Sequence, residues 1–142
     1  MRMIVLMGLP GSGKTTLALE HFKDCVRVNQ DELGSRDACV AKAKEAIEAG
    51  KDVLIDRTNI SIRQRRTWVN LAKYYDIKEI ECIHVSTGPL ECFERMLKRK
   101  GHPTIKNELE PMEKRAIIKK FDKDYEPPSY AEGFTKVIVW DL

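Results

Sequence analysis

The chain has four cysteines, Cys25, Cys39, Cys82 and Cys92, and no two stand at the C-x-x-C spacing of a zinc or redox site. Zinc is therefore not expected, and scattered buried thiols in a reducing compartment are the reading that remains. His21, His84 and His102 show no metal-ligand spacing either. Long apolar runs are also missing. The stretch at 3–7 is too short for a secretory core or a membrane span. The expectation is an intracellular chain, cytoplasmic or nuclear, with no membrane partner. No internal repeat or low-complexity tract interrupts it. Absent too are the Asn-Lys-x-Asp guanine reader of a regulatory GTPase and the Asp-x-Asp-x-Thr signature of a phosphatase portion.

What is present is a globular composition. The 142 residues are 42% hydrophobic and 33% charged, which suits one domain over 1–142 with its own core. A formal charge of +3 is compatible with nucleic acid or phosphorylated partners without demanding them. Short runs rich in β-branched residues at 3–7, 26–29, 52–56, 79–85 and 136–140 read as buried strands. Helical patterns separate them, at 13 to about 22, 35 to about 49, 61–75, 89–100 and 110–121. This alternation predicts an α/β fold, a mostly parallel sheet of about five strands with helices on both faces. The order of the strands is not readable from periodicity. Segments 101–110 and 125–134 read as loops, the second because Pro127 and Pro128 exclude a helix interior.

The most informative stretch is "MGLPGSGKTT" at 7–16. Gly8, Pro10, Gly11, Ser12 and Gly13, followed by Lys14, Thr15 and Thr16, form a full Walker A pattern with a strand before it and a helix after it. Glycines let backbone N–H groups curl round an anion, and the helix start adds the positive end of its dipole. Lys14 would reach the β and γ phosphates, and the Thr15 hydroxyl would help to hold Mg²⁺. A plain strand-to-helix turn explains the glycines but not Lys-Thr in register. The pattern predicts ATP or GTP as ligand, and the short chain suits a small phosphotransferase.

Four more segments follow in order: "VNQDELGS" at 28–35, "VLIDRTN" at 53–59, "RMLKR" at 95–99 and "YEPPSYAEGF" at 125–134. Together with the glycine loop they resemble the kinase module of 5′-hydroxyl polynucleotide kinases. The likeness is greatest to the kinase half of the animal polynucleotide kinase/phosphatases and more distant to the phage enzyme. It spans nearly the whole chain. The resemblance implies a P-loop kinase-like fold with a helical lid and an NTP donor with Mg²⁺. It also implies transfer of the γ-phosphoryl group to the 5′-hydroxyl end of single-stranded DNA or RNA.

By the same resemblance Asp31 matches the general base, and Arg95 and Arg99 match a pair of lid arginines on the donor phosphates. Asp56 matches a Walker B-like position near Mg²⁺, and 125–134 closes over the donor base. Read from the residues alone, Asp31 serves equally as a cap of the following helix, and basic residues near a helix end suit its dipole. The chain departs from the family pattern at Gln30, Gly34 and Arg57. Gly34 stands where the phage pattern has an acceptor-binding arginine, and Arg36 is close by. Arg63, Arg65 and Arg66 read as a solvated helix face in preference to a phosphate track, and Trp68, Tyr74 and Tyr75 as core. Two other readings stay open: a small-molecule P-loop kinase acting on a nucleoside, sugar acid or metabolite, and a nucleotide-binding module without turnover.

Overall fold

The computed structural model describes residues 1–9, 11–98 and 111–140. Among them β1 (Arg2–Met7), β2 (Val26–Asn29), β3 (Val53–Asp56), β4 (Glu79–Val85) and β5 (Lys136–Trp140) form one all-parallel sheet, in the order β2-β3-β1-β4-β5. Parallel neighbours need crossovers, and helices supply them. These are α1 (Lys14–His21), α2 (Gln30–Leu33), α3 (Arg36–Glu48), α4 (Ile62–Tyr74), α5 (Pro89–Lys98) and α6 (Pro111–Lys123). Serines start two of them: Ser35 Oγ accepts from Ala38 N, and Ser61 Oγ from Gln64 N.

The pleat of β1 divides the core. Met3, Val5 and Met7 point to one face and Ile4 and Leu6 to the other, all fully buried. On the first face lie Cys39, Ala43 and Ile47 of α3 with Trp68, Val69 and Ala72 of α4. Leu17 and Ala18 of α1 cover the second. The predicted fold is therefore the one observed, with strand bounds within a residue of expectation. The short α2 was not expected; four residues are too few to show a helical period.

Two expectations about α4 are corrected. Arg65 is no part of a solvated face, since its side chain is 0% exposed. Spacing explains this: residue 65 lies three, four and seven positions before Trp68, Val69 and Ala72 and shares their inward face. Its guanidinium donates from Nε and Nη2 to the two carboxylate oxygens of Glu132, at 2.8 and 3.1 Å. It also donates to the carbonyls of Asn59 and Pro127, at 2.9 and 3.2 Å. Arg63 and Arg66 are exposed as expected. Tyr74 is not core but 80% exposed.

The buried pair joins α4 to the 3₁₀ turn Tyr130–Glu132, and it supplies a first prediction. Arg65→Met leaves the Glu132 carboxylate without its cation and should destabilise the fold by about 3 kcal/mol. Adding Glu132→Leu should recover much of that loss. Urea unfolding of the three chains checks it. A double variant no more stable than the single one would show that shape, not charge pairing, governs the site.

Candidate active site

In open α/β sheets, ligands bind beyond the carboxyl ends of the strands, where strand order reverses. Here β1 lies between β3 and β4, and the glycine loop leaves its end. Gly13 caps α1 at φ 101°, a left-handed conformation that favours glycine. Gly8 has no room for a side chain: an added Cβ would lie 2.8 Å from Ser12 Oγ and 3.0 Å from the Val85 carbonyl. The Ser12 hydroxyl is fully buried and has no hydrogen-bond partner among the described residues. A buried polar atom without a partner inside a cradle of backbone amides fits an anion that would satisfy it.

Lys14 is 9% exposed, and its Nζ donates to the Leu9 carbonyl at 3.2 Å, so the ammonium lies back over the loop. Thr15 is half-buried and Thr16 exposed in the first turn of α1. From the far side Arg95 on α5 reaches in. Its Nη1 donates to the Ser12 carbonyl at 3.1 Å, and Nη2 pairs with Glu91 at 2.7 Å. Thr87 Oγ1 donates to the same carbonyl at 2.8 Å. Gly8, Gly11, Ser12, Gly13, Lys14 and Arg95 are thus brought together, while Pro10 and Arg99 lie outside the described residues. So does the loop read at 101–110.

The ends of β2 and β3 form the adjoining wall. Their register pairs Asn29 with Asp56. Asn29 does two jobs there. Its Oδ1 accepts from Glu32 N at 3.2 Å, which caps α2, and its Nδ2 donates to the Asp56 carbonyl and to Asp56 Oδ2. Arg27 donates to the same Oδ2 from Nε and Nη2, each at 2.8 Å. Asp56 is only 3% exposed, so this pairing offsets the cost of burying its charge. Sequence reasoning singled out neither Arg27 nor Asn29 as a partner of Asp56. Asn59 was likewise unforeseen as an anchor: it is buried at φ 47°, and its Nδ2 donates to the Leu6 carbonyl at 2.7 Å.

Asp31 stands in the first turn of α2, exposed, and is not that helix's cap. It opens onto a cavity of about 300 Å³ whose lining includes Gln30, Asp56, Arg57, Thr58 and Phe121. The Thr58 carbonyl accepts from Gly8 N at 3.0 Å, so this cavity adjoins the glycine loop. Among the described residues no group of three or more His, Cys, Asp or Glu side chains could hold a metal ion unaided. Magnesium needs no such cage, because it keeps several waters and takes one or two carboxylates plus substrate phosphates. Thr15 and Asp56 each offer oxygen of the kind such a site takes, although Asp56 Oδ2 already accepts from Arg27 and Asn29.

The 125–134 segment is anchored at both ends. Phe134 is buried in the core, and Tyr125 Oη lies 3.0 Å from His84 Nε2. Burial, with a smaller push from the Arg65 charge, holds the His84 imidazole below its ordinary value. The unfolded chain therefore binds a proton that the folded chain refuses. His84 should leave stability intact above its unfolded pKa and withdraw it as pH falls toward the folded one. Thermal melts of native protein and His84→Gln from pH 7 to 5 should show a flatter acid limb in the variant. Parallel limbs would remove His84 from the account. Of the cysteines, Cys39, Cys82 and Cys92 are buried and Cys25 is partly so. Burial pushes the Cys82 thiol up to about 12, which keeps it protonated and inert.

A protein-family model described as an AAA domain matches residues 35–128. The chain belongs to that AAA-domain family. The matched span begins after the glycine loop, so the loop and the family match are independent observations. This AAA domain is 34% identical over 136 residues to the bifunctional polynucleotide phosphatase/kinase of Schizosaccharomyces pombe, covering 94% of this chain and 32% of that protein. The chain spans a third or less of the length of the curated relatives it matches. A fungal RNA kinase superposes with a TM-score of 0.72 at 19% identity, over 99% of this chain and 74% of that one. A gluconokinase from Sinorhizobium meliloti 1021 superposes with 0.66 at 17% identity, over 98% and 81%. At such identities these two show the fold alone, which is P-loop kinase-like. The resemblance to polynucleotide kinases carried by the motif order is borne out as sequence similarity. Among the described residues no helix is long and apolar enough to cross a membrane.

Proposed function

We propose that this AAA domain transfers the γ-phosphoryl group of ATP or GTP to the 5′-hydroxyl end of a DNA or RNA strand. The observation that carries this reading is the adjacency of two sites. A phosphate cradle with Lys14 and Arg95 adjoins a cavity onto which the Asp31 carboxylate opens. The loop amides and Lys14 hold the donor phosphates, and the Ser12 hydroxyl gains the partner it lacks. Arg95 meets charge that grows on the transferred group. Thr15 and Asp56 would hold Mg²⁺ with the donor phosphates, where the ion would supply neutralisation of the developing charge. Asp31 takes the proton of the acceptor hydroxyl as its oxygen attacks. A module that only binds nucleotide has no need of that carboxylate.

The test is transfer of label from γ-labelled ATP and GTP to a panel of 5′-hydroxyl DNA and RNA oligonucleotides. Their 5′-phosphorylated counterparts serve as controls and should accept nothing. A small-molecule kinase is the second reading. It is favoured by the structural likeness to a gluconokinase and by a cavity of only about 300 Å³. Gluconate and nucleosides therefore belong in the same panel, and label on these alone would give that reading its place.

A further inference from the structure

We propose that Arg57 is the anion-reading residue of the acceptor cavity, holding the first phosphodiester of the strand while the terminal 5′-hydroxyl faces Asp31. The inference rests on the polynucleotide reading above.

Among the described residues five arginines are at least partly buried, and four of them engage carboxylates. Arg2 pairs with Asp52 and Glu81, Arg27 with Asp56 and Glu32, Arg65 with Glu132, and Arg95 with Glu91. Arg57 differs. It is half-buried at the carboxyl end of β3, and its Nη2 donates to the side-chain oxygen of Gln30, a neutral group. Among the described residues it makes no ion pair. A guanidinium carries five N–H donors in a rigid fork, so most of its capacity is left for a ligand.

Its surroundings sharpen the point. Arg57 is half-buried, and a partly dehydrated guanidinium with no carboxylate partner among the described residues is one that a bound anion would stabilise. The donor phosphates have cations of their own in Lys14 and Arg95. Arg57 instead shares the cavity with Asp31. An acceptor that places a hydroxyl at Asp31 and an anion at Arg57 carries the two groups a short distance apart, as a terminal nucleotide does. Gly34 cannot serve in its stead, since it ends α2 at φ 88° with open space where a side chain would start.

The experiment compares two 5′-hydroxyl oligonucleotides that differ only at the first linkage, phosphodiester in one and uncharged methylphosphonate in the other. The native chain should prefer the phosphodiester in kcat/KM by about tenfold or more, the worth of a charge-assisted hydrogen bond. In Arg57→Gln the preference should fall to about one. Arg57→Lys, which keeps the charge without the fork, should retain part of it and carries the comparison if the Gln variant is inactive. A structural residue would lower both rates and leave their ratio unmoved. An undiminished ratio in the variants overturns the assignment to Arg57 and leaves the polynucleotide reading standing. If the native chain phosphorylates neither oligonucleotide, both fall together.

Discussion

Lys14→Ala should cut phosphoryl transfer by about 10³-fold in a chain that melts close to the native temperature. The size follows from where the ammonium lies. It begins α1, folded over the loop toward the Leu9 carbonyl, in a nearly water-free position. A charge there acts through a low effective dielectric on the bridging and terminal phosphates, with no reorganisation needed during reaction. Stability should hardly move, for three reasons. Lys14 belongs to none of the apolar clusters. Alanine is the better helix former. A cation at a helix N-terminus opposes the dipole, so removing it helps the helix. Turnover with labelled ATP and thermal melting of the same preparation check both halves. Native-like turnover would sink the assignment of this loop to the donor.

Which parts of this arrangement could be read from the chain depends on the range of the interaction. The strands at 26–29, 79–85 and 136–140 coincide with their predicted bounds, because a parallel strand is a local run closed by turn residues. β5, at the sheet edge with Lys136 and Val139 exposed, is not the buried strand expected. The strand expected at 52–56 begins one residue later. The Asp52 side chain instead accepts from Arg2 N at 2.9 Å. The glycine loop was legible in full because its chemistry is contiguous in sequence. Arg65 was misread by residue type, although its spacing from Trp68 placed it inward. The Arg27–Asp56 pair was beyond reach, since it depends on β2 lying beside β3, and no periodicity encodes strand order. Arg57 was visible only as a departure from a pattern. Its meaning comes from its having no carboxylate partner among the described residues, and only three-dimensional neighbours reveal that.

Asp31→Asn should lower turnover by about 10³-fold, in the middle of the range for loss of a general base. Donor binding and melting temperature should stay close to native. The substitution keeps the shape of the side chain and its ability to accept a hydrogen bond, and removes its capacity to take a proton. On sequence grounds a cap and a base were equally open at this position. The geometry removes the first of these. Asn29 is the residue whose side chain accepts from the first turn of α2, and Asp31 lies inside that turn, exposed and at the mouth of the cavity. Asp31→Asn keeps the hydrogen-bonding shape and removes a first-turn charge, a change worth about 0.3–1 kcal/mol of stability. A large kinetic loss with only so small a thermodynamic one is therefore the signature of the base. The readout is single-turnover transfer to a 5′-hydroxyl oligonucleotide, with the melting temperature measured alongside. Turnover near the native rate would remove Asp31 from the chemistry. The cavity would then be a binding surface whose proton acceptor lies elsewhere.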